Sequence, residues 1–122
     1  MTGRCLCGGI RFEVDADTDR LRFCHCTSCK KLSGSGGTAN VRVRSDDIRI
    51  LEGRDLLTTY QPSEGSAKTF CSRCGSNMFG GGWPDSELCS VRFTTFDEQP
   101  KPSETQHVFV ESVAPWEEGP PS

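Results

Sequence analysis

Eight cysteines stand in the order Cys5-x-Cys7, Cys24-x-Cys26-x-x-Cys29, Cys71-x-x-Cys74 and a solitary Cys89. Tight pairs of thiols in glycine-containing turns are how a chain aims two thiolates at one ion, so the spacing speaks for metal ligation. The seven clustered thiols divide into four plus three. Cys5, Cys7, Cys71 and Cys74 would close a tetrahedral structural site, while Cys24, Cys26 and Cys29 would bring three thiolates to a second ion and leave its fourth position to water or substrate. Two other divisions stay open. A ribbon closed by Cys26, Cys29, Cys71 and Cys74 would leave Cys5 and Cys7 idle, and His25 or His107 could complete the triad as a second closed site. Four plus three is preferred because an idle C-x-C pair is an oxidation liability.

The remaining candidates are few. His25 lies between two ligand cysteines, where an alternating backbone aims its ring away from the metal, towards a supporting hydrogen bond or solvent. His107 is expected to open a strand and to cap or pack. Cys89 shares a strand face with Val91 and Phe93 and reads as a small buried hydrophobe. Lys30 and Lys31 set positive charge beside the triad, and Ser33-Gly34-Ser35-Gly36-Gly37 could turn backbone N–H groups towards a carboxylate. Phe79, Trp83 and Trp116 read as core and lid packing without a catalytic role.

The elements that must position these residues have period two. Ile10, Phe12 and Val14 alternate with Arg11 and Glu13; Val41 and Val43 with Arg42 and Arg44; Cys89, Val91 and Phe93 with Ser90 and Arg92; and Ile48 and Ile50 flank Arg49. Further strands are expected at Leu21–Cys24, Leu56–Tyr60, Lys68–Cys71, Asn77–Phe79 and His107–Ser112, with one short helical turn near Cys29–Leu32. Glycine, proline and serine clusters punctuate them, and Gln99 to Glu104 reads as a polar loop. The expectation is one mainly antiparallel β domain over residues 2–116, with residues 117–122 as a frayed tail.

At 122 residues the chain can bury a core without disulfide staples. Fourteen Lys and Arg against seventeen Asp and Glu give a formal charge of −3, which argues against nucleic acid as a partner. No apolar run approaches a membrane span, and Met1 to Cys5 does not lead into the apolar segment of a secretory signal. A soluble cytoplasmic protein is expected, in a compartment that keeps thiols reduced and so disfavours a disulfide framework.

Several segments together resemble one known family. They are Gly3-Arg4-Cys5-Leu6-Cys7-Gly8-Gly9-Ile10-Arg11-Phe12, Cys24-His25-Cys26-Thr27-Ser28-Cys29-Lys30-Lys31 with Gly34-Ser35, Gly53-Arg54-Asp55, and Phe70-Cys71-Ser72-Arg73-Cys74-Gly75-Ser76. In this order they are similar to the glutathione-dependent formaldehyde-activating enzymes, also called the centromere protein V/GFA domain, from about residue 2 to the His107–Trp116 segment. The resemblance implies compact antiparallel β-sheets around a zinc ribbon and two zinc ions per chain. Cys5, Cys7, Cys71 and Cys74 would hold the structural ion, and Cys24, Cys26 and Cys29 an exposed catalytic one. Lys30, Lys31, Gly34 and Ser35 are the candidate contacts for a thiol substrate. Phe93-Thr94-Thr95-Phe96-Asp97-Glu98 departs from the Gly-x-x-Asp-Asp-type segment common in the family, which bears on substrate identity.

The implied activity is that of a carbon-sulfur lyase run in reverse: glutathione or a similar thiol adds to formaldehyde or another small aldehyde. The metal would either favour the incoming thiol as thiolate or polarise the aldehyde oxygen. The alternative of a different class is a non-catalytic, zinc-stabilised protein-binding module. Chromatin association, which the centromere protein V name suggests, lacks the basic tail it would need.

Overall fold

The computed structural model describes residues 1–117. Among the described residues, ten strands, one helix and four single 3₁₀ turns follow one another. A small antiparallel sheet has the order β1 (Thr2–Arg4), β2 (Arg11–Val14), β5 (Ile48–Glu52). A seven-stranded sheet has the order β10 (Glu104–Val108), β3 (Arg20–Cys24), β4 (Thr38–Arg44), β9 (Leu88–Arg92), β8 (Asn77–Gly80), β7 (Lys68–Cys71), β6 (Leu57–Tyr60). The mainly β expectation holds.

The core lies where the sheets face each other. Phe12 of β2 meets Phe79 of β8 edge to face, with ring centroids 5.2 Å apart, and Trp83 packs on Phe79 at 4.8 Å. Phe93 and Phe96 close one end of this cluster, and both are buried. Alternation assigns the faces of the large sheet. Val41, Val43, Cys89 and Val91 are buried in the core, which bears out the reading of Cys89. Cys24, Thr38, Asn40, Arg42, Ser90 and Arg92 occupy the opposite face, with Asn40 in register with both Arg22 and Arg92.

Three expectations need correction. The last strand spans Glu104–Val108, so His107 is its fourth residue and Val110–Ser112 forms a 3₁₀ turn. Phe109, at φ 56°, takes the left-handed conformation that ends the extended run. This strand pairs parallel to β3, with Glu104 opposite Arg20, while the other described pairings are antiparallel, in keeping with a mainly antiparallel domain. The helix is longer than one turn, α1 running from Thr27 to Ser33. Phe93 leaves the strand and begins a 3₁₀ turn. Of the expected tail, Glu117 is described, its N–H donating to the Ala114 carbonyl at 2.9 Å; residues 118–122 lie outside the described residues.

The segment Phe93 to Glu98 has a structural role. The Asp97 carboxylate accepts from Thr2 Oγ1 at 2.9 Å and Arg4 Nε at 2.7 Å, which ties β1 to the end of the Phe93 turn. The hydrogen bond and charge of Arg4 hold the Asp97 carboxyl below its ordinary range. A depressed carboxyl stabilises the fold above its unfolded value of 3.8 and loses that contribution as pH falls through the folded value. Acid titration of unfolding should therefore show a shallower loss below about pH 4 for Asp97→Asn than for the parent protein.

Gly53 sets the approach of the loop after β5. Its φ is 81°, and a Cβ there would overlap the Gly9 carbonyl beside the Cys5–Cys7 turn. Gly53→Ala is expected to destabilise the protein by about 2 to 4 kcal/mol in urea unfolding, from left-handed strain plus displaced backbone.

Candidate metal centres

The first cluster begins where β1 ends. Gly8 N–H donates to the Cys5 carbonyl at 3.0 Å and Gly75 N–H to the Cys71 carbonyl at 2.8 Å, so each cysteine pair is folded into a tight turn. The turns face each other and bring Cys5, Cys7, Cys71 and Cys74 together, all four sulfurs within 4.8 Å of one another. Cys5 Sγ lies 3.5 Å from Cys7 Sγ, and Cys7 Sγ lies 3.9 Å from Cys71 Sγ. A disulfide would need about 2.05 Å. A tetrahedral zinc ion about 2.3 Å from each sulfur sets edges of about 3.8 Å, which the observed separations fit.

The surroundings are suited to thiolates. Ile10 N–H points at Cys5 Sγ at 3.2 Å, Arg73 Nε at Cys7 Sγ at 3.3 Å, and Ser76 Oγ lies 3.3 Å from Cys74 Sγ. The Ser76 hydroxyl is the first cause that holds the Cys74 thiol down to about 5, whereas burial pushes Cys71 up to about 11. Hydrogen bonds from Gly9 and then Arg73 lower Cys7.

The second cluster forms at the junction of β3 and α1. Cys24 ends the strand, Cys26 caps the helix and Cys29 lies in its first turn, buried. Cys26 Sγ accepts the Cys29 N–H at 3.4 Å, so one sulfur is both helix cap and candidate ligand. Burial pushes the Cys24 thiol up to about 12. Burial also opposes ionisation of Cys26, but the Cys29 N–H, the neighbouring thiols and the charge of Lys68 bring it below its ordinary range. The three sulfurs converge within 4.8 Å, and among the described residues no fourth Cys, His, Asp or Glu joins them. The grouping is four plus three, without the alternative ribbon and without a histidine in the triad.

The triad opens into a cavity of about 480 Å³ on the polar face of the large sheet. Arg22, Arg42, Lys68 and Arg92 line it, with Glu64 as the carboxylate among its lining residues. Arg92 is buried, and its guanidinium is held by Asn77 Oδ1 at 3.1 Å, Thr38 Oγ1 at 3.3 Å and Asn40 Oδ1. A second hollow of about 470 Å³ shares Arg92 with the triad cavity, is lined also by Thr38, and reaches Cys5 and Ser76; Thr94 and Thr95 line this hollow and not the triad cavity.

Other predicted contacts lie apart from the cavity. Lys30 Nζ donates to the Ser112 carbonyl, and Lys31 lines an adjoining apolar hollow with Leu32 and Tyr60 that shares Ser28 and Lys68 with the triad cavity. The Gly34 and Ser35 N–H groups go to the Lys30 carbonyl at 2.9 and 3.3 Å, closing the helix instead of facing a ligand. The Glu117 carboxylate lies against Gly36. Phe79 and Trp83 are core residues, and Trp116 is exposed.

His25 does not face solvent, being 1% exposed, and its hydrogen bond goes to the other histidine. Its Nε2 lies 2.9 Å from His107 Nδ1, with the rings stacked at 5.2 Å and Phe23 alongside. This pairing and the buried Arg92 network escaped sequence reasoning. The alternation of Arg42 and Arg92 with core valines was a signal that they share a face, but not that the face is partly covered.

Together the sheets and the two cysteine clusters define a class of small β domain able to hold metal ions at one closed and one open site. The chain belongs to the glutathione-dependent formaldehyde-activating enzyme family, whose description matches residues 1–112. A Halomonas elongata protein that bears this enzyme name provisionally is 30% identical over 127 residues, covering 97% of this chain and 80% of that protein. An uncharacterised lyase of Schizosaccharomyces pombe is 25% identical over 77 residues, 63% of this chain and 54% of that protein. The crystal structure of a Rhodobacter sphaeroides protein matches in fold with a TM-score of 0.68 at 22% identity, covering 87% of this chain and 100% of that one.

The two clusters should respond differently to loss of a ligand. Cys71→Ser, in the core-facing cluster, is expected to cost about 3 kcal/mol or more. Cys26→Ser, at the cavity, should leave a cooperative thermal transition that still falls on addition of a chelator.

Proposed function

We propose that this chain is a zinc-dependent carbon-sulfur lyase-like enzyme that binds glutathione or a similar thiol and adds it reversibly to formaldehyde or another small aldehyde. The observation that carries this reading is the asymmetry of the centres. Four sulfurs close one cluster within a frame of N–H donors, whereas three sulfurs of the other line a cavity with cationic walls.

Two zinc ions per chain are the reading that the donor sets support, because thiolate groups in tetrahedral array suit zinc. Zinc held by Cys24, Cys26 and Cys29 would leave a position at which an incoming thiol is favoured as thiolate. The chain's own groups do the rest. Arg22, Arg42 and Lys68 give the cavity positive charge for a carboxylate-bearing thiol, and β3 and α1 hold the three sulfurs at its head. In the addition a carbon–sulfur bond forms, the carbonyl π pair moves to oxygen, and the thiol proton ends on that oxygen. No external oxidant or reductant is needed, and the product is a hemithioacetal.

The test is zinc per chain in the parent protein and in Cys26→Ser, followed by X-ray absorption of the metal with and without glutathione. About two zinc ions falling to about one, a further sulfur neighbour on glutathione addition, and loss of hemithioacetal formation in the variant are expected. Zinc that stays at two in the variant, or a metal that glutathione does not reach, would favour a zinc-stabilised protein-binding module.

A further inference from the structure

Arg92 is 6% exposed, and the acceptors of its three hydrogen bonds, on Asn77, Thr38 and Asn40, are all neutral oxygens. Among the described residues no carboxylate oxygen lies within 4.0 Å of it. A buried guanidinium without a counter-charge is costly, so neutral acceptors alone account poorly for its place. The sheet register supplies the missing partner. Thr38, which holds Nη1, stands opposite Cys24, and Arg92 lines the same cavity as Cys24, Cys26 and Cys29. Burial opposes the Arg92 charge, and the opposing attractions come from Cys29, Cys24 and Cys26.

We propose that Arg92 is the buried counter-charge of the Cys24–Cys26–Cys29 centre and a positioning residue that makes this centre prefer an anionic fourth ligand to a neutral one. The inference rests on the reading of the triad as an open metal site. A divalent ion on three thiolates carries one net negative charge; a thiolate as fourth ligand makes it two, whereas imidazole leaves it at one. A fixed buried cation beside the centre opposes that build-up selectively. Arg22, Arg42, Lys68 and Glu64 also face the cavity, but the first three are only partly buried or exposed and Glu64 is exposed, so water screens them more than Arg92.

The experiment uses full-length protein loaded with Co²⁺, whose absorption reports its fourth ligand. 2-Mercaptoethanol serves as a thiol without a carboxylate, so the cationic walls are not being probed, and imidazole serves as the neutral competitor. Their dissociation constants are measured for the parent protein, Arg92→Met and Arg92→Lys. Arg92→Met should lower the preference for thiol over imidazole about tenfold, and Arg92→Lys should restore most of it. Should Arg92→Met fail to fold, Arg92→Gln against Arg92→Lys makes the same comparison. An unchanged preference, or equal weakening of both ligands, overturns the role of Arg92 and leaves the open site standing. No spectral response to either ligand in the parent protein overturns the open site and, with it, the role of Arg92.

Discussion

Sulfur atoms gathered within touching distance cannot all ionise unless something offsets their charge, and both ends of this molecule are built around that constraint. In the first cluster Cys71 is forced up by burial while Cys74, beside Ser76, is brought down. Opposite shifts among neighbours mark groups that share negative charge unequally. A divalent ion would remove the conflict, and the N–H groups of Ile10 and Arg73 already point at the sulfurs it would bind. The same contact joins the turn after β1 to the turn after β7, and so pins the small sheet against the large one. Ligand geometry and sheet packing are here one problem with one solution.

The large sheet separates the consequences. On one face Val41, Val43, Cys89 and Val91 join Phe12 of the small sheet in an apolar core. On the other, Thr38, Asn40 and Arg92 are buried although polar, because they hydrogen-bond to one another. Such a network is rigid while it is satisfied, since each group that loses a partner is left with its desolvation cost. This network is not complete in itself: Arg92 Nη2 and Asn77 Nδ2 are buried without a hydrogen-bond partner, on the face whose candidate ligand sulfurs come from the end of a strand and a short helix.

The cysteine grouping was legible because ligand spacing is local: two residues within a turn suffice to show that both can reach one ion. Strands such as Arg11–Val14 and Thr38–Arg44 were legible because alternation is also local. What escaped the sequence depends on distant partners. The parallel docking of Glu104–Val108 on Arg20–Cys24 depends on a return across most of the chain, and it is this docking that carries His107 to His25. Lys30, Lys31, Gly34 and Ser35 follow the triad closely in sequence but do not line its cavity: Gly34 and Ser35 close the helix C-terminus, Lys30 reaches Ser112, and Lys31 lines the adjoining hollow. Proximity along the chain misled where a helix intervened; Arg92, far along the chain, came close through the register of β4 with β9.

Arg92 also connects the two centres physically. Its Nε donates to Asn77, which opens β8 directly after the Cys71–Cys74 turn and Ser76; its Nη1 donates to Thr38, opposite Cys24. The open triad is thus referred to the closed cluster through one guanidinium and the strands on either side of it. Were the triad to hold a metal ion, its three protein ligands would lack the geometric restraint of a fourth, and the hydrogen bonds among Thr38, Asn40 and Arg92 lie outside that ligand set. An open coordination position can be kept open only if the remaining ligands are held by something other than the ligand that is missing.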